Sequence, residues 1–388
     1  MGGAGAATIR TGRALTGAVL LDLALSPLFA WDVFTDHLRR ELGVGDAVLA
    51  AVFSVGLVAF MLGVLVGGRV ADATSPRRLA LVALAGTVVG LLGSAAATSV
   101  AVVFVAFGGF LGGSSGLGYA TAVRVAGTVG SRRGLALGIV VSAYAVGTAA
   151  LAPVASALLA SVGRGWTFVV LAGALGVVLA VAAALVPGAR PTRGPPTAPA
   201  HRRTRPGAPV VALWAAFGLG SAPTLAAFAQ AGSLAGVPGA VALAVALLNV
   251  GNFVGRLVAG PLSDRVGRRA ALHGNSALLL VACIPLAAGT SGAPALVALF
   301  LLGTQYGALS TLTPAATADV VPVERFGTTY GLVFTGWGVA GLVAPAGAAA
   351  LAVEIGYHGV YLAFLVVAAL SWACAATYAR MAGRPASS

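Results

Sequence analysis

Apolar residues run along this chain in long unbroken stretches, with polar residues confined to short gaps between them. A helix needs about 20 apolar residues to cross the hydrocarbon core of a bilayer. Twelve stretches reach that length, at roughly 14–36, 46–68, 79–97, 101–123, 135–161, 166–187, 209–231, 239–262, 271–289, 295–318, 328–353 and 358–379. Barrel strands would instead alternate over about ten residues. The pattern therefore predicts an all-α membrane protein of twelve transmembrane helices. Between the sixth and seventh runs lies PGARPTRGPPTAPAHRRTRPGAP (Pro187 to Pro209), whose prolines and arginines exclude a helix in lipid. The chain then divides into an N-terminal six-helix bundle (1–187), an exposed linker (188–208) and a C-terminal six-helix bundle (209–388).

Composition agrees with the pattern. Of the 388 residues 59% are hydrophobic and only 9% charged, against about 25% charged in a soluble domain. Too few charges remain to build a water-exposed surface. The net charge of +13 suggests nucleic acid until the positions of the 23 basic residues, all arginine, are followed. All but Arg39, Arg40, Arg164 and Arg256 lie in the tails or after the even-numbered runs. Loops on the cytoplasmic side retain basic residues, so both termini are expected there, in a bacterial cytoplasmic membrane, with no nucleic-acid partner. The first run continues to about Phe34 without a small-residue cleavage site and reads as a span rather than a signal peptide. Cys283 and Cys374 lie in apolar runs without metal-ligand spacing and read as small buried hydrophobes.

Two charged signatures stand at equivalent places in the halves. GGRVADATSPRR (Gly67 to Arg78) follows the second run and GPLSDRVGRR (Gly260 to Arg269) the eighth; Asp72 and Asp264 are 192 residues apart, about half the chain. An internal duplication at that period is the mark of a transporter whose halves rock about a midplane site. Gly68 and Gly260 allow close helix approach. Asp72 and Asp264 can cap a neighbouring helix start or pair with an arginine, while Arg77, Arg78, Arg268 and Arg269 hold the loops on the cytoplasmic side. Both stretches resemble the loop signature of the major facilitator superfamily, the second more closely than the first, where Ser75 and Pro76 replace a glycine and a basic residue. The resemblance covers essentially the whole chain. It implies two pseudo-symmetric six-helix bundles and alternating access.

One charge does not fit the loop pattern. In NVGNFVGRLVAGPLSD, Arg256 stands alone among apolar residues, eight before Asp264 and thus roughly 12 Å inside the membrane. An arginine at that depth is costly and faces the protein interior. Asn249, Asn252 and Arg256 fall at i, i+3 and i+7 on one helical face, a donor-rich stripe suited to a carboxylate gripped by two parallel hydrogen bonds. Structural pairing of Arg256 with a carboxylate or with carbonyls is the competing reading.

Further stretches resemble the monocarboxylate and oxalate/formate porters within that superfamily. These are SRRGLALGIVVSAYAVG (Ser131 to Gly147), FAWDVF in span 1, GLGYATAV in span 4, TQYGALSTLTP in span 10 and FGTTYGLVFTGWGVAG in span 11. That resemblance implies Arg256 as the receptor of a substrate carboxylate, with Asn252 one turn before it and Tyr119 and Tyr306 as cavity tyrosines. Trp337 stands where oxalate-type antiporters carry a second cation, so a dicarboxylate is disfavoured. Animal-type carriers have an acid where Asn252 stands and a lysine in span 1, and this chain has no lysine. Proton coupling must then use Asp22 or Asp32 in span 1. Either could hold Arg256 in the empty carrier and release it on protonation; Asp22 has a helix–helix polar tie as its equal alternative, and for Asp32, near the outer interface, the structural reading is the better one.

The expected function is secondary active transport of a small organic anion, a lactate- or pyruvate-like monocarboxylate, by a monomer using a proton as coupling ion. The alternative is organic-anion exchange or drug and metabolite efflux. The sequence holds no P-loop, HExxH or GxSxG, so no enzyme chemistry, cofactor or metal is expected.

Overall fold

The computed structural model describes residues 2–129, 132–189, 207–236 and 241–382; the linker expected at 188–208 lies almost wholly outside the described residues. Regular structure among them is helical throughout. The order is α1 (Gly2–Ala24), a short 3-10 turn (Ser26–Ala30), α2 (Asp32–Leu42), α3 (Asp46–Ala71) and α4 (Pro76–Ala95). Next come α5 (Val100–Val103), a π-helical stretch (Phe104–Leu111) continuing into α6 (Gly112–Gly127), and α7 (Arg133–Leu185). The second half holds α8 (Ala208–Ala235), α9 (Val241–Val266), α10 (Arg268–Ala287), α11 (Ala293–Val320) and α12 (Phe326–Met381).

Ten stretches among the described residues are long and apolar enough to cross a membrane. Two of them, within α7 and α12, each hold two crossing lengths, parted by one residue outside helical geometry: Gly163 (φ 73°) and Gly356 (φ 68°). The fold therefore holds twelve crossing segments among the described residues. Only glycine takes that left-handed backbone without cost, so a single residue parts the two helices of each pair. Prolines in the first turns of α4, α8 and α11 mark the helix starts, where their missing N–H removes no bond. Side chains such as Val177, Val343 and Trp166 are exposed, as expected where hydrocarbon is the solvent and every backbone bond is closed within the helix.

The first span differs from expectation. The apolar length is Thr11–Ala30, ending where Pro27 sits in the 3-10 turn. The rest of the expected run belongs to α2, an amphipathic helix that buries Phe34 and Leu38 and exposes Asp36, Arg39 and Arg40. Asp32 is thus outside the span. It is exposed in the first turn of α2, where a carboxylate favours the helix N-terminus.

The chain forms two compact units. The first comprises Met1–Val129, Val140–Pro195 and Val323–Gly331; the second comprises Gly130–Ile139, Pro196–Pro322 and Leu332–Ser388. Each unit thus takes in a short segment that a linear division of the chain assigns to the other half. In the first unit Phe34, Phe107 and Phe168 pack together, the outer two stacked at 4.6 Å. In the second, leucines and alanines of α8, α9, α10 and α11 close on Tyr361 and Phe364 of α12.

Candidate functional site

Within the second unit, α9 and α11 touch backbone to backbone. Gly251 and Gly255 on α9, and Gly303 and Gly307 on α11, each stand where a Cβ would collide with a carbonyl of the facing helix: Phe300, Thr304, Leu248 and Asn252 in turn. This is the small-residue packing that lets membrane helices approach without a solvent-driven core. It sets Asn252 and Arg256 beside Tyr306. Arg256 Nε donates to Asn252 Oδ1 at 2.9 Å, and Thr311 Oγ1 of α11 donates to the Arg256 carbonyl at 3.3 Å. That side-chain bond uses Nε rather than the Nη1/Nη2 edge with which a guanidinium grips a carboxylate. Arg256 is half-buried, ten residues or about 15 Å from the end of α9.

Tyr306 faces the same region. Its hydroxyl accepts the Trp337 indole N–H at 2.6 Å and lies within Coulombic reach of Arg256. Phe228 meets the Tyr306 ring edge-on at 5.9 Å, and Phe334 packs on Trp337 at 4.9 Å. Arg256 thus pairs with Asn252 and Tyr306 with Trp337, and the charge of Arg256 reaches the Tyr306 hydroxyl. Asn249 joins neither pair: it is exposed, and its amide donates to Val245 of its own helix at 2.9 Å. The expected stripe of two amides and a guanidinium reduces to one amide and a guanidinium.

The first unit holds a second cluster. Phe29, Phe60, Tyr119 and Tyr144 pack with ring centroids 5.5 to 6.2 Å apart, and the Tyr119 hydroxyl lies 3.3 Å from that of Tyr330. Tyr119 therefore belongs to a different unit from Tyr306. Asp22 on α1 is 0% exposed, a carboxyl removed from water inside an apolar span, as the sequence placed it.

The paired loop signatures carry the main charge chemistry. Asp72 Oδ1 accepts the Gly327 N–H at 3.0 Å and the Arg124 Nε–H at 3.1 Å, and Oδ2 accepts the Thr328 N–H at 2.7 Å. Asp264 accepts the N–H groups of Gly134 and Leu135, both at 3.1 Å, and an Arg268 N–H at 2.8 Å. Each carboxylate thus holds the first turn of a long helix, α12 or α7, where unpaired N–H groups and the helix dipole favour an anion. A Cβ on Gly68 would meet the Gly327 carbonyl, and one on Gly260 the Gly134 carbonyl, so both glycines are needed for the contact. Asp319 extends the second cluster, pairing with Arg133 at 3.0 Å and Arg268 at 3.2 Å.

Sequence models locate the chain among known proteins. The model of the Major Facilitator Superfamily matches residues 15–237 and 212–387. The chain belongs to the Major Facilitator Superfamily. It is therefore a multi-pass membrane transporter and not an enzyme. Solved structures share the fold over 96% of this chain and 99% of theirs: the Major Facilitator Superfamily transporter FucP in the outward conformation (TM-score 0.74, 13% identity), a single-substitution form of the Escherichia coli fucose:proton symporter FucP (0.72, 14%), and a bacterial homologue of the iron transporter ferroportin in an outward-facing state (0.67, 16%). A stretch of 98 residues, 24% of this chain, is 35% identical to the high-affinity glucose transporter ght5 of Schizosaccharomyces pombe and spans 18% of that protein.

One arginine of this family member was misread as a loop charge, and the partners of another were not foreseen. Arg124, assigned to the loop after span 4, is buried on α6 and is the partner of Asp72, while Arg77 and Arg78 are exposed. Its signal was the one that singled out Arg256, an isolated arginine in the apolar run ATAVRVAG. Arg164, beside the Gly163 turn, donates to Glu41 Oε2 (2.5 Å), to the Ser94 carbonyl (2.5 Å) and to the Ala97 carbonyl (2.9 Å). It pins the end of α4 and α2 to α7. Nothing in its sequence neighbourhood announces those three partners.

Proposed function

We propose that this transporter moves a small monocarboxylate of the lactate or pyruvate type, coupled to protons. The observation that carries the reading is the Arg256–Asn252 pair within a membrane-spanning helix, within Coulombic reach of the hydroxyl of Tyr306. Asn252 holds the guanidinium through Nε, and a planar guanidinium is the group suited to a carboxylate. Tyr306, held by Trp337, orients the solute; Asn249 and Tyr119 have no part in this reading. The resemblance of spans 1, 4, 5, 10 and 11 to monocarboxylate and oxalate/formate porters supports the same substrate class. Asp22, the wholly buried carboxyl of the first span, is the proton carrier, and the exposed Asp32 is set aside. Gly68 with Asp72, and Gly260 with Asp264, act as switches whose bonds to the starts of α12 and α7 break and re-form during transport. The arginine distribution supports a bacterial cytoplasmic membrane with both termini inside. The carrier works as a monomer.

Purified protein in liposomes with an inward proton gradient is expected to accumulate labelled L-lactate. Arg256→Lys keeps the charge but loses the planar fork, and is expected to lower uptake at least about tenfold. Undiminished uptake by the lysine variant overturns the reading. A second reading, a neutral sugar, draws on the glucose transporter likeness over 98 residues. Binding of glucose or fucose that pyruvate does not displace would select it.

A further inference from the structure

A groove of about 570 Å³ lies within the second unit, between α8, residues 326–355 of α12 and residues 357–381 of the same helix. No part of the proposed transport chemistry uses it. Its lining on α12 runs from Gly336 to Leu351, about 22 Å of helix at 1.5 Å per residue. A groove of that length is long enough to take an extended hydrocarbon chain.

The chemistry of the wall agrees with the shape. Every lining residue is aliphatic, aromatic or glycine, and the one polar group, the Trp214 indole N–H, is already given to Thr335 Oγ1 at 2.9 Å. The groove offers a carboxylate or a sugar no hydrogen bond, so a solute that binds at Arg256 has no reason to enter it. Gly218 and Gly336 bring α8 and α12 into backbone contact, while Gly347 and six alanines leave the groove open. Of the lining residues, Val339, Val343 and Leu351 are exposed, and the two crossing segments of α12 also expose Leu342, Leu362 and Val366. That surface faces hydrocarbon in a multi-pass membrane protein, so the groove is a recess of the lipid interface itself. Water in it would be unfavourable, and the neighbouring solvent is acyl chain.

We propose that this recess is a binding site for one acyl chain of a membrane phospholipid. The chain lies along α12 between α8 and the last crossing segment, behind the helices that carry Phe228 and Trp337 to Tyr306. Positions 336, 340, 343 and 347 stand roughly a quarter turn from Trp337 on the helix, so the lipid face and the Tyr306 face of α12 are distinct.

Gly347 supplies the test. No atom lies within 4 Å of a Cβ built there, so a longer side chain enters the groove without displacing the backbone. Wild-type protein, washed extensively in detergent, is expected to retain a phospholipid in native mass spectrometry. Gly347→Leu is expected to retain about tenfold less. Gly347→Ala, too short to fill the recess, and Gly173→Leu, an exposed glycine of α7 with equally open surroundings, are expected to retain it as wild type does. A melting curve for each variant establishes that it is folded. Equal retention by folded Gly347→Leu and wild type overturns the proposal. So does a wild-type dimer that Gly347→Leu dissociates, since the groove would then hold a second copy of the chain.

Discussion

Arg256 depends on a neighbour four residues away. Asn252 Oδ1 fixes the guanidinium through Nε, and a hydrogen bond to a charged group contributes about 1.5–3 kcal/mol. Asn252→Ala is therefore expected to raise the half-saturating lactate concentration about tenfold or more, with the maximal rate largely kept, in liposome uptake kinetics. Asp22 carries a separate expectation. Asp22→Asn should retain exchange of labelled substrate yet lose accumulation driven by a pH gradient, and unaltered accumulation removes Asp22 from the coupling. At this scale the sequence was legible where a charge interrupts an apolar run, as at Arg256 and Asp22. It misled at Arg124, because a charge near the end of a run looks the same whether the side chain turns into a loop or, as here, onto Asp72.

The elements were the most legible level, because lipid removes the alternatives. A run of apolar residues in a bilayer must close its backbone bonds internally, so length and apolarity suffice to name a helix. The breaks were less legible. Spans 5 and 6 were expected to part between residues 161 and 166; one left-handed glycine, Gly163, makes the break, and Arg164 anchors it through partners far away in the chain. Packing of α9 against α11 tests the same level. Gly307→Ala places a methyl against the Asn252 carbonyl, an overpacking that costs about 1–3 kcal/mol. It is expected to lower the melting temperature and lactate affinity together. Gly347→Ala, in open surroundings, is expected to leave both unchanged or gain up to about 1 kcal/mol of stability from helix propensity.

Across the whole molecule the two halves repeat one device with different support. Asp72 and Asp264 each hold the first turn of a long helix, but Asp72 pairs with buried Arg124, whereas Asp264 pairs with Arg268, which also has Asp319. Removing one partner of a buried pair strands the other charge and costs about 3–5 kcal/mol, while a more exposed, shared pair loses much less. Asp72→Asn is accordingly expected to lower the melting temperature more than Asp264→Asn, and both to slow uptake. The proposed orientation has a direct check: a fluorescent protein fused after Ser388 should mature and fluoresce in whole cells, as it does on the cytoplasmic side. The sequence alone determined the helical class, the twelve crossings, the internal repeat and the positions of the isolated charges, since hydropathy and spacing are properties of the chain. Tertiary structure decided which partner each charge takes, that Asn249 stays with its own helix while Asn252 turns to Arg256, and that Tyr119 and Tyr306 serve different units. Those outcomes depend on which helices glycine allows into contact, and contact between distant segments is not written in local pattern.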